Sequence, residues 1–441
     1  MEVTVLRVTT PGPHFAPEYA YLVSTVLGEF LGAKTTVTAG DNPAVWRIED
    51  EDRRLELPNL FFPEQNPEGF FDAGRIPHAA CQTRSASDAT SYAALFGIPE
   101  KGDAGLDIFG TIFFLLTSFE DHLNMPRDEH DRLRFATSWL GRNGLIQRPV
   151  VDELLDLLLR LLRKAGITVP VRRYPYTLLY TCDIDHPTLC FNASPRIFLR
   201  SLASSLIKRP SIRAAVNKIL ALHDARRDPY NTVSWICAQL ERVNRTGCFF
   251  IKSGTGGSRY DDIFSLSAPH IQKMFSSLRQ GGHSAGFHPG YATINDPALF
   301  FYELQHVKTS CPISLRGGRQ HYLRFKGAPT WRMWAEAGLE FDSSLGFSAM
   351  AGFRCGTAKE FPVYDLERRV PLPLTEHPLL AMEVTLLEHM KLSHADAFDH
   401  MKNLGNTVRR YGGTMTLLWH NHTLCTDNDR ELFSQTLSAL A

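Results

Sequence analysis

At 441 residues the chain is longer than one average domain, and its 44% hydrophobic content is that of a globular protein with a large core. Lys+Arg and Asp+Glu balance at 47 each, so the overall charge does not mark a polyanion binder, and nucleic acid is not an expected partner. No stretch reaches the roughly 20 apolar residues that span a bilayer. The first residues lack the basic start and apolar run of a secretory signal, and the eight cysteines contain no Cys-x-x-Cys pair; reduced thiols and a cytoplasmic location are expected.

From the N-terminus, 16–31 carries apolar residues at helical spacing (Tyr19, Leu22, Val23, Val26, Leu27, Phe30) and stops at Gly32. The apolar block 107–119 reads as a buried core helix or strand, interrupted by Gly110, Thr111, Thr117 and Ser118. The charge run 127–132 predicts a solvated helix face, with a substrate-contacting loop as the alternative. Pro149 opens a helix over 150–164, with Leu154, Leu155, Leu158, Leu161 and Leu162 as its apolar stripe and Gly166 as its stop. Two prolines and the Arg172-Arg173 step follow. The domain boundary is placed there, giving an N-terminal accessory domain 1–170 and a second domain 171–441.

The second domain opens on Tyr176-Thr177-Leu178-Leu179-Tyr180-Thr181-Cys182-Asp183-Ile184-Asp185-His186-Pro187. A β-prone run meets two carboxylates that alternate onto one face at the strand's carboxyl end, and Pro187 stops the ladder. Two like charges so close need a cation, a proton or solvent, so a metal site is the first hypothesis. Helices are expected over 196–222 and 271–278, and a short buried strand over 248–251. The loop 253–258 is glycine-rich but lacks the Gly-Lys-Ser/Thr ending of a phosphate loop, so nucleotide binding is not expected there. A short strand leads into His288, a Gly-Gly-Arg-Gln-His turn follows at 317–321, and a last strand, 415–419, ends at His420.

Three separate strands therefore end in metal-binding or acid–base side chains: Asp183 with Asp185, His288, and His420. Parallel α/β barrels gather active-site residues at the carboxyl ends of their strands. From Tyr174 onward, these segments resemble the polysaccharide deacetylases of the NodB-homology type. More specifically, the chain is similar to a deacetylase-like subfamily with an additional N-terminal domain of unknown function. The shared phrases include Asp107–Thr117, Gly286-Phe287-His288-Pro289, Arg319-Gln320-His321-Tyr322 and Leu418-Trp419-His420-Asn421. The resemblance implies a distorted (β/α) barrel preceded by a smaller α/β domain. It also implies a metal-dependent hydrolase that removes acetyl groups from N-acetylated sugars or polysaccharide. By that match Asp183 is the catalytic base, Arg319 orients it and His420 is the general acid. Asp185 and His288 are metal ligands.

The family's second metal histidine falls at Ala292 here. The substitutes are His321 first, then His283, then His186. A divalent metal is expected, zinc first, with cobalt, nickel or manganese as alternatives. Asp342 sits where the family has a carboxylate pairing with the acid histidine, a turn-capping aspartate being the equal alternative. Trp331 and Trp419 are read as sugar-stacking or core residues, and Arg354 as an anion holder or half of a buried ion pair. Two other functions are weighed: a non-catalytic glycan-binding protein, motivated by the missing histidine, and a metal-diphosphate-binding Asp-x-Asp glycosyltransferase.

Overall fold

The computed structural model describes residues 5–63, 70–84, 90–191, 198–199, 202–203 and 212–441. Packing divides the chain into two compact units. The first comprises Met1–Tyr176, Phe325–Leu380 and Thr407–Thr414; the second comprises Thr177–Arg324, Ala381–Asn406 and Met415–Ala441.

In the first unit, Val5–Thr10 alternates exposed and buried side chains and so becomes a half-buried strand. It pairs in parallel with Lys34–Ala39 and antiparallel with Val45–Asp50, which pairs antiparallel with Arg53–Pro58. The apolar stripe after Ala16 forms the helix Ala16–Leu22, continuing as a π-helix over Val23–Phe30. The block after Asp107 is a buried helix, Ile108–Leu116; the Asp107 carboxylate accepts from the backbone N–H of Gly110 at its first turn and from those of Leu60 and Phe61. Phe109 stacks on Trp46 with ring centroids 4.4 Å apart. The helix Val150–Lys164 stops at Gly166, whose φ of +78 suits glycine.

The single cut at 170/171 and the packing units differ because the first unit takes in a later segment. Arg354 forms a buried ion pair with Asp121 at 2.7 Å, and Lys359 pairs with buried Asp152. Tyr21 donates to the Pro362 carbonyl at 2.9 Å. The strands Phe361–Asp365 and Val370–Glu376 pair antiparallel, with Phe341–Asp342 parallel to the latter. Arg354 is thus half of a structural ion pair rather than an anion holder. The charge run 127–132 is a turn and not a helix: Asp131 has φ +61, and Arg132 pairs with Asp128 at 2.7 Å.

In the second unit, among the described residues, the strands lie in the order Leu315–Gly318, Ser284–Phe287, Gly247–Ile251, Tyr176–Ile184, Gly413–Leu418, Ala381–Met382. The pairs among the first four are parallel, as is the last pair. Helices Pro269–Gln280 and Pro297–Ser310 connect successive parallel strands, as parallel pairing requires. The fold is mixed α/β with a large parallel sheet, and among the described residues no ladder closes it into a ring. Of the helices expected over 196–222, Ile212–Ala221 is present; 192–197, 200–201 and 204–211 lie outside the described residues. The cysteines are all free thiols, Cys182 and Cys190 included. Among the described residues no helix is long and apolar enough to cross a membrane.

Candidate metal centre

Every strand of the second unit delivers a polar side chain at or within two residues of its carboxyl end. Tyr176–Ile184 carries Asp183 and then Asp185; Gly247–Ile251 is followed by Lys252, Ser284–Phe287 by His288, and Leu315–Gly318 by Arg319. Ala381–Met382 is followed by Glu383, and Gly413–Leu418 reaches His420. All of these side chains are buried. Buried charge at strand ends is stable only when it is paired; Arg319 pairs with Asp183 and His420 with Glu383, while Lys252 pairs with Asp261 in the following loop.

Asp185, His288 and His321 bring one ligand atom each to within 4.8 Å of the others. The Asp185 Oδ1 lies 3.1 Å from His288 Nε2 and 3.4 Å from His321 Nε2. Yet Asp185 Oδ1 and His288 Nε2 are buried with no hydrogen-bond partner. Such orphaned atoms are costly, and a cation relieves the cost. Donors about 2.1 Å from a common ion stand roughly 3 to 3.5 Å apart, which these separations match. His288 Nδ1 donates to the Arg319 carbonyl at 2.6 Å, which leaves Nε2 with its lone pair toward the cluster. The donor set therefore fits a divalent metal.

Protonation suits the same role. Burial, aided by the Lys252 ammonium, outweighs the Asp185 carboxylate and pushes His321 down to about 4, so its imidazole is neutral at neutral pH. Burial works against charge on Asp185, but the imidazoles of His321, His288 and His420 hold its carboxyl well below the usual range. With its pKa raised to about 10 by Glu383, His420 is a charged imidazole beside Asp185 at neutral pH.

Two further pairs flank the cluster. Arg319 Nη1 donates to Asp183 Oδ1 at 2.9 Å and to Thr181 Oγ1 at 3.0 Å, and its guanidinium lies 4.9 Å from the Phe250 ring centroid. Asp183 Oδ2 is 3.7 Å from His288 Nε2. On the other side His420 Nε2 is 3.5 Å from Asp185 Oδ2, while its Nδ1 lies 2.8 Å from Glu383 Oε1. Burial would depress the His420 pKa, but Glu383 overcomes it and raises the value to about 10, so the ring is a cation at neutral pH.

A model of a family of unknown function (DUF7033) matches residues 7–166. No curated protein matches the chain. Among solved structures, a crystal structure from Mycobacterium smegmatis, described provisionally as a polysaccharide deacetylase, is similar over 60% of this chain and 83% of its own, with 15% identity and a TM-score of 0.41. What the site can do is set by its own residues.

Of the residues proposed from sequence, Asp183, Asp185, His288, Arg319, His321 and His420 come together at one end of the strands. His283 lies apart from them, accepting the Gly247 N–H at 3.1 Å. His186 pairs with Asp262 at 2.5 Å and packs its ring 4.7 Å from that of His422. Asp342 accepts from Ser344 Oγ at 2.6 Å, and the carboxylate on His420 is Glu383 instead. Trp331 and Trp419 are fully buried core residues with no face for a sugar. Sequence reading passed over Lys252, Asp261 and Glu383. Lys252 had the same signal as the histidines, a charged residue directly after an apolar β-run (Cys248-Phe249-Phe250-Ile251-Lys252).

Proposed function

We propose that the second unit is a metal-dependent hydrolase that removes acetyl groups from N-acetylated sugars or polysaccharide, with residues 1–170 as an accessory domain. The observation that carries this reading is the orphaned Asp185 Oδ1 and His288 Nε2, set beside an Arg-held carboxylate and a carboxylate-held imidazole. Asp185, His288 and His321 would hold the ion. When bound, a divalent cation supplies Lewis acidity to water and to the acetyl carbonyl, zinc being our first choice.

The chain's own residues divide the proton work. Arg319 fixes Asp183 through Oδ1, and the Asp183 carboxylate takes a proton from the attacking water. The His420 imidazolium gives its proton at Nε2 to the departing sugar nitrogen, because Nδ1 is committed to Glu383. Water and the N-acetyl group thus become acetate and an amine. The Asp-x-Asp transferase reading gains nothing here, since Asp183 faces Arg319 and His288, Arg319 and His420 have no part in it.

The test is Asp183→Asn. Acetate release from N-acetylated oligosaccharides should vanish while the variant still folds cooperatively and keeps the wild-type metal content; its melting temperature falls, because buried Arg319 loses its anion. Undiminished release in that variant would remove Asp183 as the base.

A further inference from the structure

We propose that Asp261 is a positioning residue that sets His321 as the third metal ligand, by accepting its Nδ1–H and at the same time occupying the Lys252 ammonium. This rests on the metal-dependent reading of the centre. Asp261 stands in the loop between the strand Gly247–Ile251 and the helix Pro269–Gln280, and its side chain is 2% exposed. Its carboxylate accepts from Lys252 Nζ at 2.5 Å, Ser258 Oγ at 2.5 Å and the Tyr291 N–H at 3.1 Å, and lies 3.1 Å from His321 Nδ1.

The imidazole has two neutral tautomers, and the neighbours choose between them. Lys252 Nζ also lies 2.8 Å from His321 Nδ1. An ammonium has only protons to give, so a Lys252–Nδ1 hydrogen bond would move the ring proton to Nε2. That Nε2–H would face Asp185 Oδ1 at 3.4 Å and could not ligate a cation. Asp185 Oδ1, however, accepts no hydrogen bond, which argues against a proton on Nε2. With Asp261 taking one ammonium proton and the Nδ1–H, the Nε2 lone pair is left facing Asp185 and His288, with Lys252 Nζ 3.4 Å from it. A carboxylate behind a ligating histidine is a general device for fixing its tautomer and orientation.

The experiment measures Co2+ affinity of the full chain by chelator competition, with the Co2+ d–d absorption and melting temperature recorded for each variant. The variants are His321→Ala, Asp261→Asn and the double variant Asp261→Asn/Lys252→Met. We expect His321→Ala and Asp261→Asn each to lose about 10- to 100-fold in affinity with an altered d–d band. The double variant should recover part of the loss, because no ammonium then competes for Nδ1, a recovery that a merely structural role would not give. If Asp261→Asn does not fold, Asp261→Glu is measured in its place, with the same loss expected. If Asp261→Asn or its substitute binds Co2+ as tightly as wild type while His321→Ala does not, the positioning role is overturned and the metal centre stands. A wild-type chain that binds no Co2+ overturns both.

Discussion

Glu383 Oε1 accepts two hydrogen bonds from one residue, the backbone N–H of His420 at 2.9 Å and its ring Nδ1 at 2.8 Å. Thr423 Oγ1 donates to the same oxygen at 3.0 Å. One carboxylate thereby fixes the place, the tautomer and the charge of the imidazole proposed as the acid.

Glu383→Gln removes the charge that raises His420. The His420 proton is held up to about pH 10 with Glu383 present, so without it the acid form disappears at lower pH. The basic limb of the kcat/KM profile is expected to move down by at least one pH unit, with a loss of about 10- to 100-fold at pH 9. A profile that keeps its wild-type basic limb would remove Glu383 from this role.

Arg319 is fully buried and its partner Asp183 nearly so. Arg319→Ala leaves a carboxylate buried without its cation and is expected to cost about 3 to 5 kcal/mol in urea unfolding. Adding Asp183→Asn should return part of that loss, since the stranded charge is gone. Strict additivity of the two changes would mean the pair is not coupled.

In the first unit, Glu120 accepts the Trp139 N–H at 2.8 Å, and burial pushes its carboxyl up from 4.5 to about 7. The folded pKa is above the unfolded one, so its contribution to stability is fully present below about pH 4.5 and is lost as pH rises through 7. Glu120→Gln keeps an oxygen for Trp139 and removes the titration. The variant is expected to be less sensitive to pH between 5 and 8, gaining up to about 3 kcal/mol over wild type at pH 8. Parallel stability curves for the two proteins would contradict this.

Metal removal provides a second stability test. A cation that binds the folded chain alone adds about 2.7 kcal/mol at 100 times its Kd, so chelation should lower the melting temperature and added zinc should restore it. His288→Ala should melt at one temperature with or without zinc. A zinc-dependent shift persisting in that variant would place the cation elsewhere.

Local signals made much of the site legible. The alternation ending in Asp183 and Asp185 and the apolar runs ending at His288 and His420 follow from period-two packing and need no tertiary information. His321 emerged only because a resemblance left a ligand missing at Ala292. Glu383 escaped because Ala381–Met382 is a two-residue strand, too short to show alternation. Asp261 sits in an irregular loop and gains its role only from Lys252 and His321, which are distant in sequence. The turn at 127–132 looked helical because charge runs carry no sign of a left-handed residue such as Asp131. The interrupted first unit was hidden for the same reason, since pairs such as Arg354 with Asp121 span more than 200 positions.

The central claim is tested most directly by acetate release from a panel of N-acetylated oligosaccharides, comparing metal-stripped chain with chain reloaded with zinc or cobalt. The account predicts acetate and free amine in equal amounts, rising with metal content to a plateau at one ion per chain. One ion bound per chain with no acetate from any member of the panel would contradict it.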